Sequence, residues 1–210
     1  MDNGVYELEV ARREFDGEEI NRYTALKNLF LYETKGVSFE KISAPTGLKK
    51  FDARLTDIRD FSGIEKFREL ENINLLYARS FRSISGISQL KKLKKLWLGN
   101  CPKLTDIDEL ALCPSLKELY LEGIKKCDLT VIENMTGLEA LRLSDCGSVS
   151  SLKFIGKLDN LEFFSFVNTN VLDGDLRPCL RLKYAGTLDK RHYNIKSRDL
   201  PQERTRYRGF

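Results

Sequence analysis

The chain is poor in the residues that most often carry chemistry. Its 210 residues include one histidine, two methionines, one tryptophan and five prolines. The single histidine, His192, has no serine or cysteine placed by sequence to pair with it, and it reads as a capping or surface residue. Gly36, Gly47 and Gly63 stand singly at turns, so there is no glycine-rich phosphate loop. His-Glu-x-x-His and a nucleophile elbow are both missing. Carboxylate pairs such as Glu18-Glu19 and Asp106 with Asp108 sit at loops, without a cleft to perturb them. Asp173 and Asp175 flank Gly174 as a turn, and a calcium loop needs more oxygen ligands in order. No run approaches the roughly 18 apolar residues that span a bilayer. Met1-Asp2-Asn3-Gly4 has no basic cluster followed by an apolar core, so no secretory signal is expected and the expected location is the cytoplasm. The cysteines number five, Cys101, Cys113, Cys127, Cys146 and Cys179. An odd count without a Cys-x-x-Cys pair argues against a disulfide framework and a zinc site. Catalysis, cofactor and metal are therefore not expected.

What the chain does have is leucine at a fixed step. Leu93, Leu96 and Leu98 are followed by Leu116, Leu119 and Leu121, then by Leu138, Leu141 and Leu143. The register extends back through Leu70-Ile73-Leu75, Leu48-Phe51-Ala53 and Leu26-Leu29-Leu31. It extends forward through Leu161-Phe164-Phe166 and, more weakly, Leu182-Ala185-Thr187. The starts at 26, 48, 70, 93, 116, 138, 161 and 182 are spaced 22, 22, 23, 23, 22, 23 and 21. Such a period means stacked supersecondary units, each burying its face only against its neighbours. Val5, Leu8 and Val10 form a degenerate unit one step before Leu26.

Residues 93–115, LKKLWLGNCPKLTDIDELALCPS, show the plan of one unit. LKKLWL alternates as a strand does, with Leu96 and Leu98 inward and Trp97 outward. Asn100-Cys101-Pro102 breaks the strand. Leu104, Ile107 and Leu110 then recur every three residues, which suits a 3₁₀ turn. Stacked units place their strands in one parallel sheet at about 4.8 Å spacing, and the wider second halves force the stack to curve with the sheet on the inside.

These repeats resemble the leucine-rich repeats of the 22-residue class, found in the internalins and in a regulatory subunit of protein phosphatase 1. Leu104-Thr105-Asp106-Ile107 and Leu55-Thr56-Asp57-Ile58 look like the "L-T-D-I" segment of that class. The resemblance covers about residues 26–190. It implies a curved right-handed α/β horseshoe with a parallel concave sheet and a convex side of short 3₁₀ or irregular helical turns. In that class the ninth position carries a turn-forming Asn or Cys. Here it holds Cys101 and Cys146, with Thr34, Thr56 and Thr169 elsewhere. Ala78, Ile124 and Lys190 depart from the pattern.

The expected organisation is an N-terminal cap with a degenerate first strand over 1–25, repeats over 26–190, and a C-terminal cap with a basic tail over 191–210. From Lys190 onward seven basic residues face two acidic ones, a balance of +5 against +4 for the whole chain. The positive charge thus resides in the tail. A short solvated end beyond a cap accounts for it; contact with nucleic acid is the alternative, since basic segments with aromatics bind phosphate and stack on bases.

The side chains expected on the open side of the sheet include Trp97, Tyr120 and Arg142 in a row on neighbouring repeats, with Glu122, Arg54 and Lys95 around them and Phe30 with Tyr32 as a second patch. Trp, Tyr and Arg dominate binding energy at protein interfaces. The expected function is a non-catalytic module that docks a partner protein on its concave sheet. A regulatory or immunity-type inhibitor of an enzyme would use the same face, and a nucleic-acid-associated adaptor would use the tail instead.

Overall fold

The computed structural model describes residues 4–43 and 47–207. Nine parallel strands form one sheet: β1 (Glu7–Ala11), β2 (Asn28–Tyr32), β3 (Lys50–Arg54), β4 (Asn72–Leu76), β5 (Lys95–Gly99), β6 (Glu118–Glu122), β7 (Ala140–Ser144), β9 (Phe163–Ser165) and β11 (Tyr184–Gly186). A small second ladder joins β8 (Ser148–Val149) to β10 (Asn170–Val171). Each strand lies beside its sequence neighbour in the sheet, as a solenoid requires.

The register is the one the leucine ladder dictates. Leu96 pairs with Leu119 and Leu119 with Leu141 across β5, β6 and β7. These residues are fully buried, as are Leu29, Phe51, Ile73 and Phe164 at the same position of other repeats. Opposite the sheet, short 3₁₀ turns such as Ile87–Gln89 and Asp108–Leu112 return the chain. Their apolar residues, among them Ile87, Ile107 and Leu110, close the interior from behind. Phenylalanines pack together in the early repeats: Phe39 lies 4.7 Å from Phe51 and 5.3 Å from Phe67, ring centre to ring centre.

Two positions after each strand hold the units together. The eighth residue of the degenerate first unit and of each repeat through the one beginning at Leu161 has a left-handed backbone: Arg12, Glu33, Leu55, Tyr77, Asn100, Gly123, Asp145 and Asn168, with φ between 49° and 65°. From Arg12 through Asp145 its N–H donates to the seventh-position carbonyl of the next repeat, as in Leu55 to Leu76 (3.0 Å) and Asn100 to Glu122 (2.7 Å). Where the ninth residue is Thr34, Thr169 or Cys146 it points inward and donates to the sixth-position carbonyl of the previous repeat, whereas Ala78 and Ile124 at the same place have no side-chain donor. Thr34 reaches Val10 (2.9 Å), Thr169 reaches Leu143 (2.9 Å) and the Cys146 thiol reaches Leu121 (3.3 Å). Buried carbonyls at the turn are thereby satisfied. The Thr56 hydroxyl at the same place is buried without a partner among the described residues. Burial pushes the Cys101 and Cys179 thiols up to about 12, which keeps them protonated and unreactive.

The N-terminal unit supplies β1 and a short helix, α1 (Gly17–Asn21), capped by Asp16, whose carboxylate accepts from Glu18 N–H at 2.9 Å. At the other end the chain departs from expectation. Residues 201–203 pair antiparallel with the free edge of β11: Ala185 N–H donates to Pro201 and Glu203 N–H to Lys183, both at 2.9 Å. Residues 204–207 then turn onto the outward face of the sheet instead of running into solvent. Arg208, one of the seven basic residues of the tail, lies outside the described residues, as do Met1, Asp2 and Asn3.

Candidate functional site

The open face of the sheet carries the third, fifth and seventh residues of each repeat, because alternate strand residues point to opposite sides. Strand register sets the fifth-position row as Phe30, Asp52, Asn74, Trp97, Tyr120, Arg142 and Ser165. This row divides into two halves with different character.

The upstream half is open. Tyr32 and Arg54 are exposed, and Phe30 and Trp97 half-buried. Arg54 pairs with Asp52 through Nε (2.9 Å) and Nη2 (3.3 Å), and this hydrogen bond holds the guanidinium above its usual pKa. Asn74 donates to the same carboxylate at 2.9 Å. Asp52 is itself buried and is satisfied from both sides. Lys50 Nζ stands 4.7 Å from the centre of the Phe30 ring and the Arg12 guanidinium 5.8 Å from that of Tyr32, geometries in which a cation is drawn to the ring face. Phe30, Tyr32 and Arg54 thus share one depression with Glu7, Glu9 and Lys50.

The downstream half is covered. Tyr120 is only 2 % exposed, which corrects the expectation of an exposed central anchor. Its ring meets the edge of Trp97 at a centroid distance of 6.2 Å and lies under Lys95 (4.8 Å) and Arg142 (5.1 Å). Its hydroxyl donates to Glu118 at 2.9 Å, and Glu118 accepts the Lys95 ammonium at 3.3 Å. Burial, then Glu118, pushes the Tyr120 phenol upward. What covers it is Tyr207, which packs in one cluster with Tyr120, Ala140 and Phe163, bordered by Trp97 and Tyr184. Arg142 donates through Nη2 to the Tyr207 carbonyl at 2.9 Å, while its guanidinium lies 5.1 Å from the centres of both the Tyr120 and Phe163 rings.

Trp97, Tyr120, Arg142 and Lys95 therefore form one cluster, and Phe30, Tyr32 and Arg54 another. Glu122 joins neither, since it accepts from Asn100 at 2.9 Å on the loop side. Tyr207 and Glu139 were not among the residues expected at the site. Tyr207 belongs to no repeat and follows Pro201 in a segment without periodicity, so nothing local announces where it lands. Elsewhere, His192 Nε2 lies 2.9 Å from the Val171 carbonyl and its ring packs edge-on to Tyr193. Among the described residues, no group of three or more His, Cys, Asp or Glu is placed to hold a metal ion, and no helix is long and apolar enough to cross a membrane.

A family model described as the leucine-rich-repeat domain of the endo-beta-N-acetylglucosaminidase EndoS matches residues 75–172. Internalin C2 of Listeria monocytogenes is 19% identical and superposes with a TM-score of 0.68, covering 89% of this chain and 77% of its own. The internalin inlF of the same organism is 21% identical with a TM-score of 0.63, covering 80% of this chain and 48% of its own. The Arabidopsis receptor kinase HAESA, solved with the peptide hormone IDA and the co-receptor SERK1, is 16% identical with a TM-score of 0.56, covering 85% of this chain and 32% of its own. No curated protein matches the sequence significantly. At these identities the likeness is one of fold, and the chain is a leucine-rich-repeat solenoid.

Proposed function

We propose that this chain is a non-catalytic interaction module that docks a partner protein on its concave sheet. The observation that carries the reading is the open upstream half of that face. There Phe30 and Tyr32 offer ring surface beside Lys50 and Arg54, and Trp97 adds to it two strands on from β3, on strands tied in register along their whole length. Aromatic anchors ringed by charge are the composition of a protein interface. A rigid sheet also loses little conformational freedom on binding. The complex of HAESA with a peptide hormone and a co-receptor protein is a protein-binding use of the same fold. An enzyme-inhibiting role would use this same face and differs only in the partner. The nucleic-acid reading loses support because Arg206 is paired with Glu139 and Tyr207 is buried. Placement in the cytoplasm belongs to the proposal, supported by five free thiols.

The test is affinity capture from the native source with wild type, Trp97→Ala and Tyr32→Ala. Loss of a specific protein with either variant, at unchanged melting temperature, is the expected result. Retention of every captured protein by both folded variants defeats the proposal.

A further inference from the structure

The downstream half of the face is already holding a polypeptide. Tyr207 is 1 % exposed and its phenol donates to Glu139 Oε2 at 2.5 Å. Arg206 pairs with the same carboxylate oxygen through Nη2. The Phe163 ring stands 6.2 Å from that of Tyr207, centre to centre, and stacks on Tyr184 at 4.7 Å. The slot therefore reads three features: an aromatic ring through Tyr120, Ala140 and Phe163, a phenol and a neighbouring cation through Glu139, and a backbone carbonyl through Arg142. None of the three depends on the segment being joined to β11.

We propose that this slot recognises a protein segment bearing an arginine–tyrosine pair, and that residues 204–207 are its built-in occupant, displaced when a partner supplies such a segment. The proposal rests on the reading of the concave sheet as a docking face. Two observations favour an exchangeable occupant over a fixed cap. First, the edge of β11 is closed by residues 201–203 alone, through the backbone bonds of Lys183 and Ala185, so lifting residues 204–207 leaves the sheet edge covered. Second, the occupant fits imperfectly: the Thr205 hydroxyl is buried without a hydrogen-bond partner among the described residues, and a buried unmade bond is unfavourable. The bared slot would expose Tyr120 and Phe163, each 2 % exposed with the segment seated, and a large apolar patch of that kind calls for a cover. Trp97 borders the slot and belongs also to the open half, so a partner lying along the face would meet both.

The experiment uses the full chain and a fluorescent synthetic peptide of residues 201–210, read by anisotropy, with the same peptide carrying Tyr207→Ala as control. If the occupant is seated nine-tenths of the time, the full-chain variant Tyr207→Ala binds the peptide about tenfold more tightly than wild type. The control peptide does not bind, and adding Arg142→Ala to the variant abolishes the gain. A folded Tyr207→Ala chain with no gain in peptide affinity overturns the proposal. Should that variant fail to fold, Arg206→Ala keeps the ring and loosens the occupant; a gain there supports the proposal, and none overturns it. A dimer of wild type that exchanges the segment between two copies would also overturn it, by making a second copy the occupant. A captured partner that depends on Trp97 but is indifferent to Tyr207 overturns this inference while leaving the docking function standing.

Discussion

Single residues carry strain at the turn that follows most strands of the main sheet. The left-handed backbone there suits Gly123, Asn100, Asp145 and Asn168, but at the same place stand Arg12, Glu33, Leu55 and Tyr77. An L-residue with an ordinary side chain loses roughly 1–2 kcal/mol in that conformation, and Asn tolerates it better. Leu55 is 42 % exposed, so its side chain contributes little packing. Leu55→Asn should therefore stabilise the chain by about 1 kcal/mol, raising Tm by roughly 2–4 °C in a scanning calorimetry trace. An unchanged or lower Tm would mean that the loop is not strained at this residue. The ninth position was legible in the sequence as that of a turn-forming residue, but this eighth one was not, because Leu and Tyr there do not advertise a positive φ. The conformation is imposed by the hydrogen bond to the next repeat, a tertiary cause.

Among elements, the segment over the downstream face is held by a titrating pair. The Tyr207 hydrogen bond, with Lys117 and Arg206 adding, holds the Glu139 carboxyl below its ordinary value of 4.5. A depressed value means that the contact is favoured above the ordinary value and is lost as pH falls through the lowered one. The Tyr207 phenol is pushed from 10 up to about 12 by burial and then by Glu139. A raised value means that the contact is fully present below 10 and is lost as pH climbs from there to about 12. Emission from Trp97, the only tryptophan, should thus be flat through neutral pH and change at both extremes. Tyr207→Phe should remove the alkaline change that belongs to this phenol. A profile identical in wild type and Tyr207→Phe would show that Trp97 does not report the segment. Position on a strand was legible from the alternation of Leu96, Trp97 and Leu98. Cover by Tyr207 was not, since contact between residues 65 positions apart, Arg142 and Tyr207, leaves no periodic trace.

Over the whole molecule, stability is a chain of contacts between neighbours, because no unit has a core of its own. Leu119 is fully buried on β6, paired with Leu96 on one side and Leu141 on the other. Leu119→Ala should cost about 2–5 kcal/mol and weaken the joint between the two halves. Hydrogen exchange would then show the upstream and downstream strands opening at different free energies, whereas an evenly lowered protection would mean one indivisible unit. This level of organisation was the most readable from sequence, since a ladder repeated eight times averages out its irregular rungs, Ala53 and Ala185 among them.

Repeat lengths run from 21 to 23 residues, yet strand pairing from β1 to β11 never slips, with Tyr184 opposite Phe163 as squarely as Asn28 opposite Glu7. Every insertion or deletion is swallowed on the far side of the stack. The sheet then works like a printed raster, in which a single outward side chain is one dot at a constant pitch. New recognition could be written onto it dot by dot, with the ink never reaching the leucines beneath.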